Sequence, residues 1–248
     1  TTDTGALTLE GDADNLADTN DNIALAAGIQ LQSQTTLQLD ATTGDIDAAG
    51  AATLRAVDGI TLTDDYASTA TGALTINADT NNDGTGTLSA VNIDNSAGVD
   101  DAISITADDV TFTTLNGTDS TVTIIASNGQ TIGLGDGAAA TAADLTIDGT
   151  ELTGITATQL TLGDTTTGNI TVDDVSAVES DNVGTVSLVA TADNASIAFS
   201  NTASTFNALT ASADDGIAVN VNVTTDTGAL TLEGDADNLA DTNDNIAL

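Results

Sequence analysis

The residues best placed to do chemistry in this chain are carboxylates at turn spacing. Asp79-Thr80-Asn81-Asn82-Asp83-Gly84 puts oxygen-bearing side chains at positions one, three and five and glycine at six. That is the opening half of a calcium loop, whose ligands must be oxygens and whose sixth residue must turn sharply. The twelfth position, where a bidentate Glu would close the shell, is Ala90. Asp79, Asn81 and Asp83 are thus candidate Ca²⁺ ligands in an incomplete motif, set against a plain polar turn. Asp12, Asp14, Asp18 and Asp21 form a second candidate metal loop, and the same spacing returns at Asp235, Asp237, Asp241 and Asp244. Its alternative is a solvated acidic turn.

Catalysis has little to work with. The chain has no His and no Cys, which removes the usual general base and the thiol nucleophile. Of its four Glu, Glu10, Glu151 and Glu179 are scattered, and Glu233 repeats Glu10. Adjacent acids such as Asp173 and Asp174 can mimic a glycosidase pair, but Asp pairs recur wherever a run ends, which is turn chemistry. The expectation is a non-enzyme with no catalytic and no cofactor-binding residues.

Charge narrows the partners. Against 38 acids stands one base, Arg55, for a formal charge of −37. Phosphate recognition relies on Lys and Arg, so nucleic acid is not an expected partner, and anionic lipid is disfavoured for the same reason. Divalent cations, Ca²⁺ first, and positively charged surfaces are the natural counterparts. No apolar run approaches the roughly 18 residues of a membrane helix, so no direct membrane insertion is expected.

What must position these acids is strand. Aliphatic, small polar, aliphatic is the recurring pattern: Leu7/Leu9, Leu37/Leu39, Ile60/Leu62, Leu74/Ile76, Ile103/Ile105, Ile132/Leu134, Ile170/Val172, Ile197/Phe199 and others like them. Alternation with period two places aliphatics on one face and hydroxyls on the other. The runs end in Asp, Asn or Gly, which tolerate corner geometry, and there is no Pro. The Ala-rich stretches 48–57 and 137–143 read as irregular strand or loop. Tyr66 is expected over a corner, and Arg55 is expected to pair locally.

Repetition organises the whole. Residues 1–25 and 224–248 are identical, TTDTGALTLEGDADNLADTNDNIAL, a period of 223 residues. The expected division is 1–223 as one long repeat and 224–248 as the start of the next, a window on a longer tandem array. Inside it, GALTLEGDADN at Gly5 returns as GALTINADTNN at Gly72, about three units of some 22 residues. Short periods of pure strand predict an all-β, elongated parallel β-helix (β-solenoid) with coils of about 22 residues, some ten per long repeat.

The segments GALTLEGDADN, GALTINADTNN, AISITADDVTF and NITVDDVSAV resemble those of giant repeat-rich bacterial surface and secreted proteins, filamentous-haemagglutinin-like adhesins among them. The resemblance implies a right-handed parallel β-helix, export to the cell surface or medium, and a role in adhesion or surface-fibre formation. The chain departs from that pattern in its acidity and its longer coils. The leading expectation is a structural unit of an extracellular filament, fibre or sheath that associates with itself. The alternatives are an adhesin stalk reaching other cell surfaces and a calcium-stabilised array of β-sandwich modules. The near absence of aromatics disfavours sandwiches, which usually carry a core aromatic.

Overall fold

A computed structural model describes residues 1–16, 21–98, 101–236 and 243–248. The fold is almost all β and its strands pair in parallel. Two short helices, Gly149–Gly154 and Ala177–Ser180, and a 3-10 turn at Ser127–Gly129 interrupt a chain of strands and turns. The chain divides into two compact units, Thr1–Val122 and Thr123–Leu248.

In the first unit successive strands are dealt in turn to three sets of neighbours. One set is Leu7–Glu10, Leu37–Asp40, Ile60–Leu62, Leu88–Ala90 and Val110–Thr111. Its register stacks Leu7, Leu37, Ile60, Leu88 and Val110 in one column. A second set is Ile29–Gln32, Ala52–Arg55, Leu74–Asn77 and Ile103–Ala107, with Leu31, Leu54, Ile76 and Ile105 in register. The third is Ile23–Leu25, Ile46–Ala48, Tyr66–Ser68, Asn92–Asp94 and Thr114–Asn116. Its column runs Ile23, Ile46, Tyr66, Ile93 and Leu115. From Leu37 to Leu115 these column residues are buried, while Thr61, Thr75 and Ser89 between them face solvent. β-Branched and aliphatic side chains in columns bury one face of every strand, and that burial drives the pairing. Register partners lie 20 residues apart (Ile46 to Tyr66) to 30 apart (Leu7 to Leu37), so spacing is looser than a fixed 22.

Three expectations are corrected here. Tyr66 lies within a strand at zero exposure, not over a corner, and its hydroxyl has no hydrogen-bond partner. Desolvation raises its pKa to about 12. Ala52–Arg55, inside the stretch read as irregular strand or loop, is a regular strand. Arg55 faces Gln32 and Asn77 in register, neither of them an acid, and its buried Nε has no hydrogen-bond partner.

The second unit uses the same ladders. Leu145–Ile147, Ile132–Leu134, Ile170–Val172, Ile197–Phe199, Ile217–Val219 and Ile246–Ala247 form one sheet in that order. Ile155–Asp164, Val183–Ala190, Leu209–Ala213 and Leu230–Glu233 form a second run, and Ser204–Phe206 pairs with Val223–Thr225. One connection is unusually short. Ile132–Leu134 and Leu145–Ile147 are parallel neighbours joined by residues 135–144, where a parallel crossover normally needs a dozen or more. Gly133 makes it feasible: a Cβ there would sit 1.9 Å from the carbonyl oxygen of Ala140.

Candidate functional site

The acids of both units cluster at strand ends, and the structure shows what their oxygens bind. Asp79 is buried and accepts from the backbone N–H of Asp83 (3.2 Å) and Gly84 (2.8 Å). Asn81 donates its amide to Asp83 at 2.7 Å, and the Thr85 hydroxyl donates to Asp83 at 2.6 Å. Asn82, at φ 57°, supplies the left-handed residue that the turn needs. The segment is therefore a turn closed on itself, and a cation there would share Asp79 and Asp83 oxygens that already accept hydrogen bonds.

In the other candidate loop, Asp12 and Asp21 are buried and meet at one hydroxyl. Thr43 Oγ1 lies 2.6 Å from Asp12 Oδ2 and 3.2 Å from Asp21 Oδ2. The Thr43 hydroxyl is the main reason that the Asp12 carboxyl sits below the ordinary Asp value. Asp14 is exposed and accepts from the N–H of Leu16 at 3.2 Å. Asp18 lies outside the described residues. Among the described residues, no group of three or more carboxylates is placed to hold a metal ion.

A wider pattern links these loops. At several strand ends a carboxylate faces an amide from a segment 22 to 28 residues away. Asn92 Nδ2 donates to Asp65 (2.7 Å), Asn116 to Asp94 (3.1 Å), Asn201 to Asp173 (2.8 Å) and Asn243 to Asp215 (3.3 Å), and Asn22 donates to Asp47. Glu10 opposite Asp40 is an acid pair in direct register. Asn is the neutral side chain that can donate two N–H groups at Asp length. It binds the acid without adding charge.

Two buried acids stand out. Asp173 has zero exposure. Burial pushes its carboxyl up, but Asn201, the Ala139 N–H (3.0 Å) and the Thr202 N–H (2.9 Å) outweigh that and hold it below the ordinary value. Its backbone carbonyl also accepts from the Gly137 N–H at 2.9 Å. Asp173 thereby pins the short crossover at residues 137–139 and the turn at 201–202 together. Asp101, also at zero exposure, accepts from the Gly72 N–H at 2.8 Å through one oxygen, and its other oxygen has no hydrogen-bond partner.

Sequence reasoning missed the helix caps. Asp148 and Glu151 exchange hydrogen bonds at the start of Gly149–Gly154, Glu151 N to Asp148 Oδ1 at 2.9 Å and Asp148 N to Glu151 Oε2 at 3.2 Å. Ser176 N donates to Glu179 at 2.7 Å at the next helix. The D-x-x-E and S-x-x-E spacings were the available signal. Asp136 and Glu179 both approach Gly149, lying 2.9 and 2.6 Å from where its Cβ would be. Asp136 is already bound by the Gly149 N–H at 2.7 Å, so this pair too serves the backbone. Comparison with known protein families, with curated proteins and with solved structures finds no match for this chain.

Proposed function

We propose that the chain is a structural repeat unit of an extracellular filament or sheath, folded as a parallel β-solenoid whose coils stack to give length and stiffness. The observation that carries this reading is the dealing of successive strands to three sets of neighbours, each strand pairing in parallel with one a coil away. A coil alone cannot bury its aliphatic face, but stacked coils share it. Each coil advances the stack by about 4.8 Å. The acids are served by backbone, amide and hydroxyl donors, so their role is an even, soluble, self-repelling surface rather than a reaction centre. A cell-surface or secreted location completes the proposal.

Divalent cations enter this reading as counter-ions that relieve repulsion around acidic corners. Calcium and magnesium at equal millimolar concentration therefore raise the unfolding midpoint alike, relative to EDTA. A calcium-specific rise would instead establish a chelating site. Electron microscopy and fibre diffraction of the native material test the fold and role together. A uniform fibre with a meridional reflection near 4.8 Å is expected. A string of beads would refute the reading, and a stalk ending in a head would replace the filament with an adhesin.

A further inference from the structure

The same 25 residues occur twice, and the two copies are bonded on opposite edges. In the first copy, Leu7–Glu10 pairs with the later strand Leu37–Asp40, and Ile23–Leu25 with Ile46–Ala48. In the second, the identical Leu230–Glu233 pairs with the earlier strand Leu209–Ala213, and Ile246–Ala247 with Ile217–Val219. The hydrogen bonds fix the edges. Leu7 N–H donates to Thr36 O (2.9 Å), whereas the carbonyl of Ala229, equivalent to Ala6, accepts from Leu209 N–H (3.0 Å). These are the two ends of one peptide group, and in a strand they point to opposite edges. The next junction repeats the relation. Ile23 N–H donates to Asp45 O (2.9 Å), and Asn245 O, equivalent to Asn22, accepts from Ile217 N–H (3.0 Å).

Nothing in either set of bonds excludes the other, so one copy can hold a coil on each side. We propose that the edges of Leu230–Glu233 and Ile246–Ala247 opposite their bonds to Leu209–Ala213 and Ile217–Val219 are a docking surface for residues 37–48 of a second copy of the 223-residue repeat. The pairing would be that already made by residues 7–25, with Leu230 against Leu37 and Ile246 against Ile46. This deepens the proposed function by naming the partner and the register at the joint.

Ile23, covered by Ile46–Ala48, is 8% exposed, while its equivalent Ile246 is 40% exposed.

The test extends the full chain by a second pass of residues 26–248, placing the proposed coil after the second copy. Thr231→Cys in the first pass is combined with Gln38→Cys in the second, in a chain with no native cysteine. The proposed register sets these Cα atoms about 4.8 Å apart, inside the roughly 4.4–6.8 Å of a disulfide. The control is Thr8→Cys with Gln38→Cys in the 248-residue chain, a pair already in register. Oxidation is expected to close both bridges within one molecule and in comparable yield. A control bridge without the junction bridge overturns the docking surface and leaves the fold of the repeat standing. Loss of both overturns the pairing of residues 1–25 itself, and with it the stacked-coil reading.

Discussion

Removing the Asp173 carboxylate measures how much a buried acid contributes when its partners are neutral. Three N–H donors converge on it: the Ala139 N–H and Asn201 amide on Oδ2, and the Thr202 N–H on Oδ1. Asp173→Ala leaves all three without that acceptor. At about 1–1.5 kcal/mol each, with Asn201 and Thr202 near enough to solvent to regain water, the loss is about 3 kcal/mol. Asp173→Asn keeps an oxygen for the two donors that share one, but turns an NH₂ toward the Thr202 N–H. It should cost about 1.5 kcal/mol. The difference must depend on pH. The folded carboxyl titrates below its ordinary value of 3.8, so its stabilisation is fully present above that value and is lost as pH falls through the folded pKa. Urea unfolding followed by circular dichroism at pH 7 and near pH 3 reads both effects. The Asn variant should trail the parent at pH 7 and approach it at low pH. Equal midpoints at pH 7 would refute the argument that this carboxylate holds the 137–139 crossover.

Tyr66→Phe removes a buried hydroxyl that has no hydrogen-bond partner and should raise stability by about 1 kcal/mol, read as a higher thermal midpoint. Asn92→Asp sets a second carboxylate against Asp65, where an amide now donates at 2.7 Å. It should cost about 1–2 kcal/mol, part of it recovered in molar salt; a salt-independent loss would mean that packing rather than charge is at stake. The stability of the whole chain should pass through a maximum on acidification. Falling pH first relieves repulsion in a chain of charge −37. The depressed carboxyls of Asp12, Asp144 and Asp173 then lose their stabilisation as pH drops below the ordinary Asp range. A midpoint that falls steadily from pH 7 would contradict the repulsion half of that account.

Two of the three ladders in the first unit were legible, Ala52–Arg55 apart, because their strands show two aliphatics around a polar residue, as at Leu37/Leu39 and Leu74/Ile76. The third was legible only at Ile23/Leu25. Ile46–Ala48, Tyr66–Ser68, Asn92–Asp94 and Thr114–Asn116 each carry one large apolar residue. A period of two cannot be read from a single residue. The partner strand supplies what the sequence window lacks, since Ile46, Tyr66, Ile93 and Leu115 become a column only once stacked. Tyr66 was misplaced for the same reason: its acidic neighbours Asp64 and Asp65 suggested a corner, while its burial comes from residues 20 and 27 positions away. The acidic loops were found as clusters, but what their oxygens bind was hidden, because the donors at Asp79 and Asp83 are the turn's own backbone and side chains and the donor at Asp12 and Asp21 is Thr43, remote in sequence.

The placement of asparagine relieves part of the charge that 38 acids and one base bring to a parallel β fold. Two carboxylates 5 Å apart in water repel by about 1 kcal/mol, and a ladder repeats every contact. Replacing one member of such a pair by Asn removes the repulsion and adds a hydrogen bond to a charged acceptor. At an exposed corner such a bond is comparable to a surface ion pair, about 0–1 kcal/mol, and it needs no lysine. It needs instead that Asn and Asp fall opposite each other on paired strands, as at Asn116 and Asp94 or Asn92 and Asp65. A shuffled sequence keeps the charge and the aliphatic content but loses those offsets. Its acids would then meet acids, and the balance would tip toward the disorder that such composition otherwise favours.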